Sequence, residues 1–108
     1  MEKCDTSVLD KLNRKPIYTI TTLRGSLHGG RRCVGFYHEL ESAITSVEEN
    51  DMDINEAGYY HYAVIEKVNI GMYNFAMEEL WFKWHPEKGY QVVAKPKNFK
   101  STIAFGMG

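Results

Sequence analysis

Cysteine is scarce in this chain of 108 residues, which contains only Cys4 and Cys33. There is no Cys-x-x-Cys pair, and no group of histidines and cysteines has the spacing of a zinc site. The scarcity argues against a disulfide scaffold and predicts a reducing compartment, the cytosol. Cys33 falls in a strand-like run and is predicted to be a small core residue.

Long apolar runs are also missing, so the sequence predicts neither a membrane span nor a signal peptide. The net charge is only −1 but is unevenly distributed: residues 1–37 carry +4, residues 38–56 carry −7 and residues 57–108 carry +2. A general nucleic-acid binder would show a broad basic excess, which the acidic block argues against. A compact anionic ligand needs only a local basic patch.

Periodicity predicts an α+β fold with an antiparallel sheet of about five strands and one main helix packed on one face. The order is hairpin, helix, strand, hairpin. The helix is predicted over residues 38–50, with a last turn that frays into the acidic residues after it. Its apolar stripe consists of Leu40, Ala43, Ile44 and Val47. The strands are predicted over residues 17–23, 31–37, 59–68, 79–85 and 90–94, with a turn at Pro86-Glu-Lys-Gly89, and residues 102–105 could add a last short strand.

The length fits one domain, predicted over residues 17–108. Residues 1–16 form an N-terminal arm or a short helix, and the sequence leaves both readings open. Pro16 ends any helix there.

A Gly-rich hairpin tip carries the candidate anionic site. Arginine forks and glycine N–H groups at one tip suit a phosphate. The alternatives are a solvated tip or arginines paired with the acidic helix. Arg31 and Arg32 are predicted to face opposite sides of their strand. The predicted phosphate ligands are Arg24, His28, Arg31 and Arg32.

Four aromatic residues could form a stacking wall for a base, although core and cross-strand packing is the other interpretation. Phe82 and Trp84 are predicted to face inward and Trp81 outward. The four predicted stacking residues are Tyr60, Tyr62, Trp81 and Trp84.

The acidic block is either a solvated face or a docking surface for a partner protein, with Glu48, Glu49, Asp51 and Asp53 as the predicted contacts. Asp51, Asp53 and Asn55 resemble the start of an EF-hand loop, but its sixth position is Glu56 instead of glycine. No metal site and no cofactor are predicted. The sequence shows no acid/base pair, so no enzyme is predicted.

Four segments together resemble a family of short, mostly uncharacterised proteins associated with Firmicutes and the bacteriophages that infect them. They are Arg32-Cys-Val-Gly-Phe-Tyr37, Tyr59-x-x-Tyr-Ala-Val-Ile-Glu66, Glu79-x-Trp81-Phe-x-Trp84 and Phe105-Gly106-x-Gly108. The resemblance runs from about Ile17 to the C-terminus. It implies a phage setting, in which small proteins often act as counter-defence factors, including "sponges" that bind a nucleotide immune signal without cleaving it.

Two functions are therefore expected. The first is a non-enzymatic, homo-oligomeric binding protein in the bacterial host cytosol, which sequesters a phosphorylated nucleotide-derived signal. The alternative is an inhibitor or adaptor of a host protein that acts through the acidic helix and loop of residues 39–56.

Overall fold

The computed structural model describes residues 16–24, 30–69, 76–97 and 103–104. Five strands form one antiparallel sheet in the order β2-β1-β3-β4-β5, and one α-helix packs on it. This confirms the predicted α+β class. The elements are β1 (Ile17–Leu23), β2 (Arg31–Tyr37), α1 (Leu40–Glu48), a 3₁₀ turn (Asp51–Asp53), β3 (Tyr62–Val68), β4 (Ala76–His85) and β5 (Gly89–Val93).

Element boundaries follow the sequence prediction closely at β1 and β2 and less closely elsewhere. The α-helix begins at Leu40 and ends at Glu48, so it is shorter than predicted at both ends. Strand β3 begins at Tyr62 because the residues before it complete a hydrogen-bonded loop. The predicted N-terminal arm over residues 1–16 lies outside the described residues apart from Pro16.

The larger core lies between α1 and one face of the sheet, called here the helix face. Ala43 and Val47 are fully buried there, and they pack with Ile20, Ile65 and Phe82 from β1, β3 and β4. The i, i+4 spacing of the two helical residues places both on the buried side. Leu40, predicted to join this stripe, is 37% exposed at the first turn.

The opposite face of the sheet carries a second, smaller core. Leu23, Val64 and Trp81 are buried there against Ile103, which comes from the C-terminal part of the chain. Trp81 is only 2% exposed, so the prediction that it faces outward to solvent is wrong. It does lie on the face away from the helix, but Ile103 packs against it there.

A buried carboxylate fixes this C-terminal segment. Glu66 is 0% exposed, and its two oxygens accept hydrogen bonds from the backbone N–H groups of Ile103 and Ala104, each at 2.8 Å. Burial raises the pKa of Glu66, and the two backbone hydrogen bonds oppose that shift. Ile103 and Ala104 are not in a strand, so the predicted strand over residues 102–105 does not include them.

The segment after α1 is ordered instead of frayed, which corrects the sequence prediction. Asn55 is 1% exposed, and its side-chain oxygen accepts a hydrogen bond from Gly58 N at 2.7 Å. Its amide donates to the Tyr60 carbonyl, and its own N–H donates to Asn50 Oδ1. The helix ends at Glu48, and beyond it these hydrogen bonds hold the backbone in place. A buried side chain therefore closes the loop of residues 50–60 on itself.

Cys33 is exposed, although the sequence predicted a core position. It pairs with Thr21 on the edge strand, on the face away from the helix. Within the described ranges, no helix is long and apolar enough to cross a bilayer.

Candidate functional site

An irregularity in β2 decides which of its side chains face the helix. Ile20 pairs with Gly35, but the next residue, Thr21, pairs with Cys33, so Val34 is an extra residue in the ladder. Such a bulge lets residues on both sides of it share one face. Val34 packs against the helix-face core, and Gly35 lies opposite Ile20, a core residue of that face. This part of the edge strand therefore presents a continuous surface to the loop after α1.

At the hairpin end of this surface, Arg24 and Arg32 lie on the helix face. The guanidinium of Arg24 lies over the ring of Tyr59, with its central carbon 4.4 Å from the ring centroid. Arg32 Nη1 donates to Glu56 Oε2 at 2.7 Å. Both side chains of that ion pair are exposed, so the pair stabilises the fold by at most about 1 kcal/mol.

A groove with a volume of about 420 Å³ starts at Arg32 and lies between β2 and the 3₁₀ turn. Its apolar lining includes Ile20, Val34, Phe36, Met52 and Ile54. Tyr37 and Ser46 also line it, and their hydroxyls lie 2.6 Å apart in a mutual hydrogen bond. Asp51 and Asp53 add two carboxylates. We call this cavity the edge groove.

The absence of a side chain at Gly35 helps to keep the edge groove open. Gly35 is among its lining residues, and a Cβ placed on it would meet no atom within 4 Å. Its φ is not in the left-handed region, so the backbone there does not require glycine. A larger residue at this position would fill the groove without straining the strand.

The acidic side of the groove has an unusual backbone. Asn50, Met52, Asp53, Glu56 and Ala57 all have φ between 49° and 56°, in the left-handed region. Each such residue costs on the order of 1 kcal/mol and persists only where its surroundings fix it. Asp53 Oδ1 helps by accepting hydrogen bonds from Asn50 Nδ2 and Ala57 N. Met52, in contrast, is 95% exposed.

The structure brings together only part of the predicted phosphate clamp. Arg24 and Arg32 share the helix face, where Arg32 lines the groove and Arg24 lies over Tyr59. Arg31 pairs with Leu23, which belongs to the opposite core, so its side chain is on the other face, as its alternation with Arg32 predicted. His28 lies outside the described residues.

The four predicted stacking aromatics do not form one wall. Tyr62 and Trp81 are on the face away from the helix, with ring centroids 6.4 Å apart. Trp84 packs edge-on against Tyr90 on the helix face, where Phe82 is also buried, as predicted for both residues. Tyr60 is buried, and its carbonyl accepts a hydrogen bond from the Tyr90 hydroxyl at 2.9 Å.

The aromatic residue beside the arginines is instead Tyr59, which sequence reasoning missed. It is 46% exposed, and its hydroxyl lies 3.8 Å from where a Cβ on Gly30 would stand. Strand alternation could not place it, because it precedes β3 in the loop that Asn55 closes. Its neighbour Tyr60 is buried in the same loop, so strand alternation could not predict that burial either.

The predicted acidic contacts Glu48, Glu49, Asp51 and Asp53 are all exposed. Asn55, the third residue of the segment that resembles an EF-hand, is buried and makes hydrogen bonds within the loop. No cluster of three or more metal-ligating side chains occurs in the part of the chain that the structure describes. Of the four acidic residues, Asp51 and Asp53 line the edge groove together with Met52, whereas Glu48 and Glu49 do not.

Comparison of the chain with protein-family models, with curated proteins and with solved structures finds no match.

Proposed function

We propose that this chain is a non-enzymatic binding protein that sequesters a phosphorylated, nucleotide-derived small molecule. The observation that carries the proposal is the pair Arg24 and Arg32 on one face, with Arg32 also lining a groove of about 420 Å³. Guanidinium forks bind phosphate through two parallel hydrogen bonds. Small-molecule sites typically measure roughly 300–1,000 Å³, so the groove is of suitable size.

The biological part of the proposal rests on the sequence resemblance. We propose that the protein is phage-encoded and withholds a nucleotide immune signal in the cytosol of its bacterial host, as a sponge-type counter-defence factor. We also propose a homo-oligomer. The edge groove lies beside β2 at the margin of the sheet, where a second copy can cover its open side.

Native mass spectrometry tests the proposal. The protein is purified from its own host and measured again after incubation with a nucleotide extract. We expect a discrete added mass that denaturation releases unchanged, and a protein mass that is a multiple of one chain. Release of the added mass as fragments would indicate an enzyme instead. No added mass under either condition would overturn the proposal.

Within that experiment, Arg32→Gln is expected to lower the fraction of protein that carries the adduct at least about tenfold, because a charge-assisted hydrogen bond to phosphate is lost. Arg31→Gln is the matched control. It removes the same charge from the next residue, but on the opposite face, and should leave the adduct unchanged. Equal loss in both variants would mean that overall charge, and not this cluster, holds the ligand.

A second candidate function is docking to a host protein, as an inhibitor or adaptor. One observation favours it: Met52 is 95% exposed and sits between Asp51 and Asp53 on the acidic surface. An apolar side chain ringed by charges is a common arrangement for an interface anchor. The acidic residues would then select a basic partner.

Charge reversal tests this second candidate. Glu48, Glu49, Asp51 and Asp53 are changed to lysine together, and Met52→Ser is made separately. Each variant should lose a partner that the parent captures from host lysate. Reversal of Glu78 in β4 and Glu87 in the turn after β4, both exposed, is the control for added positive charge. Capture that survives both the reversal and Met52→Ser would exclude this surface as the interface.

A further inference from the structure

The two sides of the edge groove have opposite charge. Among the described residues that line it, Arg32 is the one basic residue. The other wall carries Asp51 and Asp53, of which Asp53 holds the loop through Oδ1. The Tyr37 and Ser46 hydroxyls also line the cavity. A ligand in this groove meets a cation at the hairpin end and hydrogen-bond acceptors along the acidic wall.

On the basis of the proposed function, we infer that the edge groove selects a ribonucleotide whose negative charge is confined to one end. Its phosphate lies at Arg32 and Arg24, and its ribose hydroxyls donate hydrogen bonds to the acidic wall. Ionised carboxylates only accept hydrogen bonds, and they commonly hold ribose hydroxyls in nucleotide sites. The apolar lining from Ile20, Val34 and Ile54 then accommodates the base.

The same charges disfavour two related ligand classes. Additional phosphates, as in a nucleoside triphosphate, extend the negative charge toward Asp51 and Asp53, and like charges repel. A 2′-deoxyribonucleotide leaves a carboxylate oxygen without the hydroxyl that would pair with it. A site built around a substrate hydroxyl discriminates against the analogue that lacks it.

Isothermal titration calorimetry with defined probes tests the inference. The probes are the ribonucleoside 5′-monophosphates of the four bases, their 2′-deoxy counterparts and their triphosphates. At least one ribonucleoside monophosphate should bind. It should bind about tenfold or more tightly than its deoxy form, which lacks one hydrogen bond to a carboxylate, and than its triphosphate form, which the carboxylates repel. Asp51→Asn should reduce the difference in affinity between the monophosphate and the triphosphate, because it removes one of the repelling charges.

A steric variant locates the binding. Gly35→Leu places a side chain in the empty space of the groove and should abolish binding, whereas Gly35→Ala should retain most of it. Unchanged thermal unfolding of Gly35→Leu shows that the fold is intact. If a folded Gly35→Leu variant binds the nucleotide as tightly as the parent does, the edge groove is not the binding site.

The remaining outcomes separate this inference from the proposed function. Equal affinity for the deoxy or triphosphate probe overturns the selectivity and leaves nucleotide binding standing. If no probe binds but native mass spectrometry shows an adduct from the extract, the inference is wrong and the proposed function stands. If neither experiment shows a ligand, both are wrong.

Discussion

Replacing Glu66 with alanine is expected to lower the free energy of unfolding by about 3 kcal/mol, among the largest single effects in this chain. Glu66 is fully buried and receives two backbone hydrogen bonds at 2.8 Å, from Ile103 and Ala104. Alanine leaves both N–H groups without their acceptor and opens a cavity under Ile103. The second core, which Ile103 closes over Trp81, should loosen with it.

Urea unfolding, followed by tryptophan fluorescence, measures this loss. Glu78→Ala is the matched control, because Glu78 is an exposed glutamate on the neighbouring strand and should change the stability by less than about 0.5 kcal/mol. Glu66→Gln separates charge from packing. Its amide keeps one acceptor oxygen but turns an NH₂ donor toward the other N–H, so a loss smaller than that of alanine is expected. A Glu66→Ala variant as stable as the control would show that the carboxylate does not hold the C-terminal segment.

The stabilisation by Glu66 should also depend on pH, in the direction opposite to that of a typical ion-paired carboxylate. Burial raises its pKa in the folded state, so the folded chain binds this proton more tightly than the unfolded chain does. Its contribution is therefore complete below the pKa of an unfolded glutamate and decreases as the pH rises through the folded value. Glu79 opposes ionisation and Lys95 favours it, and these two are themselves paired at 3.1 Å.

The measurement compares the parent and Glu66→Gln over a pH series that starts at roughly pH 4, near the pKa of an unfolded glutamate, and continues through neutral pH. The stability difference between the two proteins should be larger at the acidic end. A difference that grows toward neutral pH would mean that the two backbone hydrogen bonds outweigh the burial and lower the pKa.

Local sequence signals predicted much of the fold because they are local in physical origin. The β-branched run in β1 and the apolar stripe with Ala43 and Val47 identified a strand and a helix from neighbouring residues alone. The turn after β4 was predicted from Pro86 and Gly89, and Gly89 takes φ 78°. Strand order was not predictable, because the pairing of β1 with β3 depends on contacts between segments more than 40 residues apart, such as Ile20 with Ile65.

The candidate site was harder to predict because its shape comes from irregular backbone. Of the three predicted arginines, Arg24 and Arg32 share the helix face, whereas Arg31, which alternates with Arg32, lies on the other face. The groove itself depends on the bulge at Val34 and on a loop of left-handed residues, and neither leaves a periodic signal. Trp81 was assigned to solvent because the sequence gives no indication that Ile103 covers it.

Asn55→Ala is the second substitution with a large expected effect, a loss of about 2–3 kcal/mol in the free energy of unfolding, because buried hydrogen bonds are left unmade. The Gly58 N–H loses its acceptor at 2.7 Å, and the left-handed residues between Asn50 and Gly58 lose the contact that closes the loop. Asn69→Ala, at an exposed asparagine after β3, is the control and should be nearly neutral.

The functional consequence of Asn55→Ala follows from the position of this loop, which forms the acidic wall of the edge groove. Below the unfolding temperature of the variant, the sheet and α1 should persist, because their cores do not include Asn55. Ligand binding should nevertheless fall sharply, since the wall that faces Arg32 is no longer held. Hydrogen exchange of the Gly58 amide reports the opening directly. Fast exchange at Gly58 with unchanged binding would show that the ligand is held by the arginine cluster alone and not by the groove.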